Sequence, residues 1–72
     1  MATKIRVELA KRDLSGRQLA QELGKSPAYI SEVFRGSRTI SRPVLAKVCE
    51  TLHIEPRDFF DEKGRALEYC EQ

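Results

Sequence analysis

Apolar residues recur along this chain at helical rather than alternating spacing, and no segment alternates cleanly enough for a strand. Ile5 and Leu9 lie four apart with Lys, Arg and Glu between them, predicting a short amphipathic first helix over residues 3–12. Leu14-Ser15-Gly16 interrupts it, and Ser15 is a good N-cap for a second helix. There Leu19, Ala20 and Leu23 share one face, opposite Arg17, Gln18, Gln21 and Glu22. Gly24 ends that helix, because glycine adopts the left-handed conformation a helix C-terminus commonly needs. Ser26-Pro27 starts a third, serine capping and proline at the first helical position, with Ile30, Val33 and Phe34 inward and Gly36 closing it. Ser41 is positioned to cap a fourth, burying Val44, Leu45, Val48, Cys49 and Leu52. His53-Ile54-Glu55-Pro56 reads as a turn into a short fifth helix carrying Phe59 and Phe60. The pattern predicts an all-α fold, a compact five-helix bundle.

Helices two and three are joined only by Gly24-Lys25-Ser26, too short for a relaxed antiparallel hairpin. Such a pair crosses steeply and needs a small residue where the backbones approach. Ala20, one turn before Gly24, fits that place. The geometry is that of a helix-turn-helix.

Size and charge narrow the function classes. A chain of 72 residues accommodates one domain and no deep substrate cleft. At 40% hydrophobic and 33% charged it reads as a soluble globular unit. No apolar run approaches the roughly 18 residues of a membrane span, and MATKIRVELAKR lacks a signal-peptide core, so a cytoplasmic location is expected. The net charge of +2 hides a division. Residues 1–57 hold 11 basic against 6 acidic side chains, whereas 58–72 hold 2 against 5. Arg35, Arg38 and Arg42 fall in a stretch without an acid. Clustered positive charge fits a phosphate backbone, although it also fits an ordinary solvated surface.

The run LSGRQLAQELGKSPAYISEVFRGSRTIS, Leu14 to Ser41, resembles the core of the lambda-repressor/Cro-type helix-turn-helix domain, the group of xenobiotic-response-element-like regulators. LHIEPRDFF, Leu52 to Phe60, is similar to that family's last turn and fifth helix. The resemblance covers roughly Lys4 to Phe60. It implies a five-helix bundle that binds operator DNA, usually as a homodimer, and regulates transcription in bacteria or their phages.

The reading face can be placed by two routes. With ~100° per residue on the third helix, Ala28, Glu32 and Arg35 point away from Ile30, with Tyr29 and Ser31 on the flanks. The base-reading positions implied by the resemblance fall on Pro27, Ala28, Ser31 and Glu32, with Tyr29 alongside. Glu32 can accept from cytosine N4, and Ala28 and Tyr29 can pack on thymine methyls. Tyr29 is equally readable as a half-buried aromatic packing on the second helix, and Glu32 as a solvated helix residue. Pro27 departs from the family, where many relatives place an adenine-reading glutamine; proline has no donor.

Candidate phosphate contacts are Ser15 and Arg17 with the N-terminal amides of the second helix, Lys25 and Ser26 in the turn, Arg35 at the end of the third helix, and Arg38 in the loop. Lys25 stands where the family usually has an aliphatic residue. Arg42 and Lys47 are as readily solvated. Relatives often pair an Arg of the first helix with a Glu of the third; the matching Leu9 and Phe34 form an apolar contact instead.

Other chemistry is poorly supported. Cys49 and His53 stand at helical spacing, but a metal site needs about four ligands, so no metal and no cofactor is expected. No serine or cysteine has a plausible histidine partner, and no enzyme or small-molecule site is indicated. Two cysteines, Cys49 and Cys70, are too few for a disulfide scaffold. The expected organisation is a helix-turn-helix domain over residues 1–60 followed by an acidic tail, 61–72. In the tail Ala66, Leu67, Tyr69 and Cys70 form a short helix or added strand at a dimer interface, or else the end is frayed. The leading function is a sequence-specific regulator of double-stranded DNA, a homodimeric repressor of phage type on a palindromic operator. The alternative is the same fold used as a protein-interaction module, such as an antitoxin or a regulator-binding protein.

Overall fold

Local capping chemistry sets the helix boundaries. The computed structural model describes residues 2–70 and contains α1 (Lys4–Lys11), α2 (Gly16–Leu23), α3 (Pro27–Arg35), α4 (Arg42–Leu52) and α5 (Pro56–Phe59). Ser15 makes a reciprocal capping box: its hydroxyl accepts from Gln18 N at 3.1 Å, and its own N–H donates to Gln18 Oε1 at 3.0 Å. Ser26 Oγ accepts from the N–H groups of Ala28 and Tyr29. Gly24 and Gly36 close α2 and α3 at φ 67 and 87, in the left-handed region. The fourth helix corrects an expectation, since the Ser41 side chain makes no cap bond. Its N–H donates instead to the Tyr29 hydroxyl at 3.1 Å. Pro43, in the first turn of α4, fixes the backbone there and needs no partner for an N–H. His53, not a glycine, closes α4 with φ 56, and Phe60 is the extended residue that ends α5.

The apolar faces meet in one core. Ile5, Leu19, Ile30, Val33 and Val48 are fully buried, with Leu9, Ala20, Leu23, Phe34, Val44 and Leu52 around them. Leu9 and Phe34 both lie inside this cluster, as their apolar character required. Burying each large aliphatic side chain contributes about 1.5–3 kcal/mol, a large share of the net stability available to so small a domain. The α2–α3 contact is the most extensive between helices. Ala20 is completely buried, and its carbonyl accepts from Lys25 N at 2.9 Å across the turn. Leu45, expected inward, is only half-buried. Cys49 is buried, and that burial, reinforced by Glu55, pushes its thiol pKa up. No helix among the described residues is long and apolar enough to cross a membrane.

Residues 61–70 form neither a helix nor a loose end. There is no strand among the described residues, only two isolated antiparallel bridges, Phe60–Ala66 and Thr3–Glu68. A tight turn from Asp61 to Arg65 reverses the chain: the Asp61 carboxylate accepts from Lys63 N and Arg65 N, both at 2.9 Å. Those bonds, the one from Arg65 first, hold the Asp61 pKa below the usual carboxylate range. Their stabilising effect is therefore present at neutral pH and is lost as pH falls through that lowered value. The returning segment docks by Leu67 N to Phe59 O, Lys4 N to Leu67 O and Tyr69 N to Ala2 O, each 2.9 Å. Ala66 and Phe60 are buried in the core, with the Phe60 ring tilted against Phe34 at 6.4 Å between centroids. Residues 71 and 72 of the expected tail lie outside the described residues.

Gly64 is the pivot of this turn. Its φ is 88, and a Cβ there would lie 2.7 Å from the Ile40 carbonyl oxygen. Ile40 N donates to Gly64 O at 2.8 Å, so the two backbones cannot separate without losing that bond. Gly64→Ala is expected to lower unfolding free energy by about 2 kcal/mol or more, the combined cost of left-handed strain and the clash. Urea denaturation measures this, and an unchanged midpoint would mean that the turn contributes nothing to the fold.

Candidate nucleic-acid interface

The outward surface of α3 has two edges, each tied to a different part of the fold. Along one, Pro27, Ser31 and Arg35 are spaced four apart and line a surface groove of about 530 Å³. The opposite walls bring Arg6 and Ala10 from α1, and Gly16 and Arg17 from the start of α2. The structure therefore brings four expected contact residues, Arg17, Pro27, Ser31 and Arg35, around one concavity. Arg6 joins them without having been expected. On the helical pattern it is simply a polar-face residue of α1, and only the packing of α1 beside α3 turns it toward this groove.

Along the other edge, Tyr29, Glu32 and Arg38 form a cluster. The Arg38 guanidinium lies over the Tyr29 ring, 4.8 Å from its centroid, and Arg38 Nη1 donates to Glu32 Oε1 at 3.2 Å. Ring, carboxylate and guanidinium therefore hold one another. Both ends of the ion pair remain about half exposed, so it contributes at most about 1 kcal/mol and is readily exchanged for another partner. Tyr29 is half-buried against the core, and its hydroxyl accepts from the first residue of the α4 approach, Ser41. The aromatic reading of Tyr29 thus describes its body, packed on the core and bridged to the loop. Ala28 is exposed between the two edges, and Lys25 and Ser26 are exposed in the turn.

The polar groups at the two helix starts are partly committed. The Ser15 and Ser26 oxygens already accept backbone N–H bonds, which leaves each hydroxyl proton to donate outward. Among the described residues the only ion pairs are Arg12–Glu8 and Arg38–Glu32. Arg6, Arg17 and Arg35 therefore have no carboxylate within 4.0 Å among them. Such a surface, two or three open guanidiniums beside small and apolar side chains, suits an anionic polymer with apolar base edges.

Elsewhere the chemistry is structural. Cys49 is buried, and that burial, with Glu55 nearby, raises its pKa and favours the thiol over the nucleophilic thiolate. His53 serves the left-handed closure of α4. Among the described residues no three His, Cys, Asp or Glu side chains gather closely enough to hold a metal ion.

Similarity to known proteins agrees with this geometry. A helix-turn-helix family model matches residues 5–59. The chain is 34% identical over 66 residues to the control protein C.BamHI of Bacillus amyloliquefaciens, an alignment spanning 92% of this chain and 79% of that relative. No solved structure matches. The matched segment runs from α1 to the end of α5 and contains both edges of α3. The chain belongs to the Cro/C1-type helix-turn-helix family and is a regulator that binds double-stranded DNA to control transcription, not an enzyme.

Proposed function

We propose that the protein is a homodimeric, sequence-specific repressor that sets α3 in the major groove of a palindromic operator in the cytoplasm. The observation that carries the reading is the shared groove of Arg17, Pro27, Ser31 and Arg35. A helix start with an open arginine lies next to the outward edge of the helix expected to read bases. Pro27, Ala28, Ser31 and Glu32 are then the base-facing residues, with Tyr29 at their margin. Ser15, Arg17, Lys25, Ser26, Arg35 and Arg38 meet phosphates. Glu32 does two things in this scheme: it accepts from cytosine when bound, and holds Arg38 over Tyr29 when free.

One reading head offers few base contacts, and two heads about one helical turn apart double them. An apolar strip beside α5 suits the pairing. Phe59 and Val7 are half-buried, and Tyr69, 40% exposed, is the one exposed large hydrophobic residue among the described residues. They line a common groove with Cys70. Of the two neighbouring phenylalanines, Phe60 is buried in the core, whereas Phe59 packs against it only partly buried and borders this groove, which supports Phe59 as the subunit contact.

Two experiments test the reading. In anisotropy titrations of genomic duplexes against salt, wild-type protein is expected to prefer one palindromic site. Arg35→Ala and Arg38→Ala should weaken every duplex alike and reduce the slope of log affinity against log salt by about 0.9 each. Glu32→Ala should instead alter the preferred sequence. Binding without preference over random DNA would refute the regulator reading and favour a protein-interaction role. For the dimer, deleting residues 61–72 is uninformative, since Ala66 belongs to the core. Tyr69→Glu leaves the core intact and should halve the mass seen in sedimentation equilibrium; an undiminished mass would exclude this face.

A further inference from the structure

The C-terminal turn carries one of the chain's last basic residues to an unexpected place. Arg65 Nη1 donates to the carbonyl of Gly36, the residue that closes α3, at 2.7 Å. Arg65, Arg35 and Arg6 together line a second groove of about 480 Å³, whose floor includes Thr3, Gly36 and Ala66. Arg6 and Arg35 also line the groove described above, so the two concavities adjoin along the edge of α3. Three arginines, from the first helix, the end of the third and the C-terminal turn, thus line one concavity. One acid, Glu68, shares the wall, yet no carboxylate among the described residues lies within 4.0 Å of any of the three arginines.

We propose that Arg65, with Arg6 and Arg35, grips a phosphate of the DNA backbone, so that the C-terminal turn is part of the DNA interface. The proposal rests on the regulator reading and extends its contact surface beyond the helix-turn-helix. Three features support it. First, gathering like charges without close counter-charges is unfavourable, and an oxyanion seated among them removes that repulsion. Second, Arg65 is held in place before any ligand arrives. Its backbone N–H is bound by the Asp61 carboxylate, and one guanidinium nitrogen by the Gly36 carbonyl. The remaining N–H groups are left to meet a phosphate with little loss of side-chain freedom. Third, Arg35 already belongs to the face that would meet DNA, so a backbone following that edge passes the second groove.

Glu68 sets the sign of a companion effect. Its charge opposes a phosphate in the same groove, so neutralising it strengthens binding. Arg65 also supports the end of α3, and the variants must separate that role from charge. Arg65→Gln removes the positive charge while keeping a polar side chain, and thermal unfolding reads any loss of support at the end of α3.

The test uses the full chain and a fluorescein-labelled, mixed-sequence DNA duplex, titrated at several chloride concentrations, with thermal unfolding as the fold control. Arg65→Gln and Arg6→Ala are each expected to unfold near the wild-type temperature and to reduce the slope of log affinity against log salt by about 0.9. Glu68→Gln should tighten binding severalfold. Replacing chloride with inorganic phosphate at matched ionic strength should weaken duplex binding by wild type more than by Arg65→Gln, because the free anion competes for the same arginines. Wild-type slopes in both arginine variants, alongside reduced slopes in Arg35→Ala and Arg38→Ala, would overturn the phosphate grip and leave the regulator reading standing. Inorganic phosphate that raises the unfolding temperature of wild type but not of Arg65→Gln, while leaving duplex affinity untouched, would overturn it too, by identifying a free-anion site apart from the DNA. Failure of the wild-type protein to bind any duplex would remove the regulator reading itself.

Discussion

The last carbonyls of α3 are the groups on which the rest of this structure depends. A helix end leaves its final C=O groups without helical partners, and near a core they must be satisfied. Here they are met from three places. Ser37 N–H and its hydroxyl both bond the Glu32 carbonyl. The Thr3 hydroxyl, buried, donates to the Phe34 carbonyl. Arg65 reaches the carbonyl of Gly36. Gly36 holds φ 87, in the left-handed region that favours glycine, although a Cβ there would make only ordinary contact with Thr3 and Ala66 O, at 3.7 and 3.9 Å. α3 is thereby fixed at its far end by residues near both ends of the chain.

This arrangement explains why part of the fold was legible in the sequence and part was not. Ser15, Gly24, Ser26, Pro27 and Gly36 act on neighbours within a few residues, so their roles follow from local spacing: the serines cap, the glycines close, and Pro27 opens α3. Ser41 has the same local signature, yet its side chain caps nothing, because Tyr29, twelve residues away, takes its N–H and Pro43 sets the first turn. Ile40 and Ala66 carry no helical period at all, and enter the core only because the turn at Gly64 brings them together.

The candidate interface divides in the same way. Pro27, Ala28, Ser31 and Glu32 are outward on any regular helix that buries Ile30, Val33 and Phe34. That Glu32 and Arg38 are paired, with Arg38 resting on Tyr29, depends on the path of the loop after Gly36, which no periodicity specifies. Arg6 and Arg65 were invisible as site residues for a related reason. Each sits in a segment whose own pattern says only that the side chain is polar, and 58–72 has an acidic surplus that draws attention away from a single arginine. Counting charge by segment therefore misplaces it. Tertiary folding carries a basic residue from an acidic stretch to the basic edge, while Asp61 spends its charge on the turn that holds it there.

The sealing of α3 also has a kinetic side. The bonds that close it join residues 31 and 29 positions apart, and the Thr3–Glu68 bridge spans nearly the whole described chain. Helical proteins of this size are usually fast to fold because their contacts are local, whereas distant pairings must first meet the entropy of loop closure. In this molecule each helix is held by local bonds, but the end of α3 is closed only when residues near the two extremities of the chain meet. Sealing α3 therefore carries an entropy cost of closing the chain on itself that helix growth alone does not.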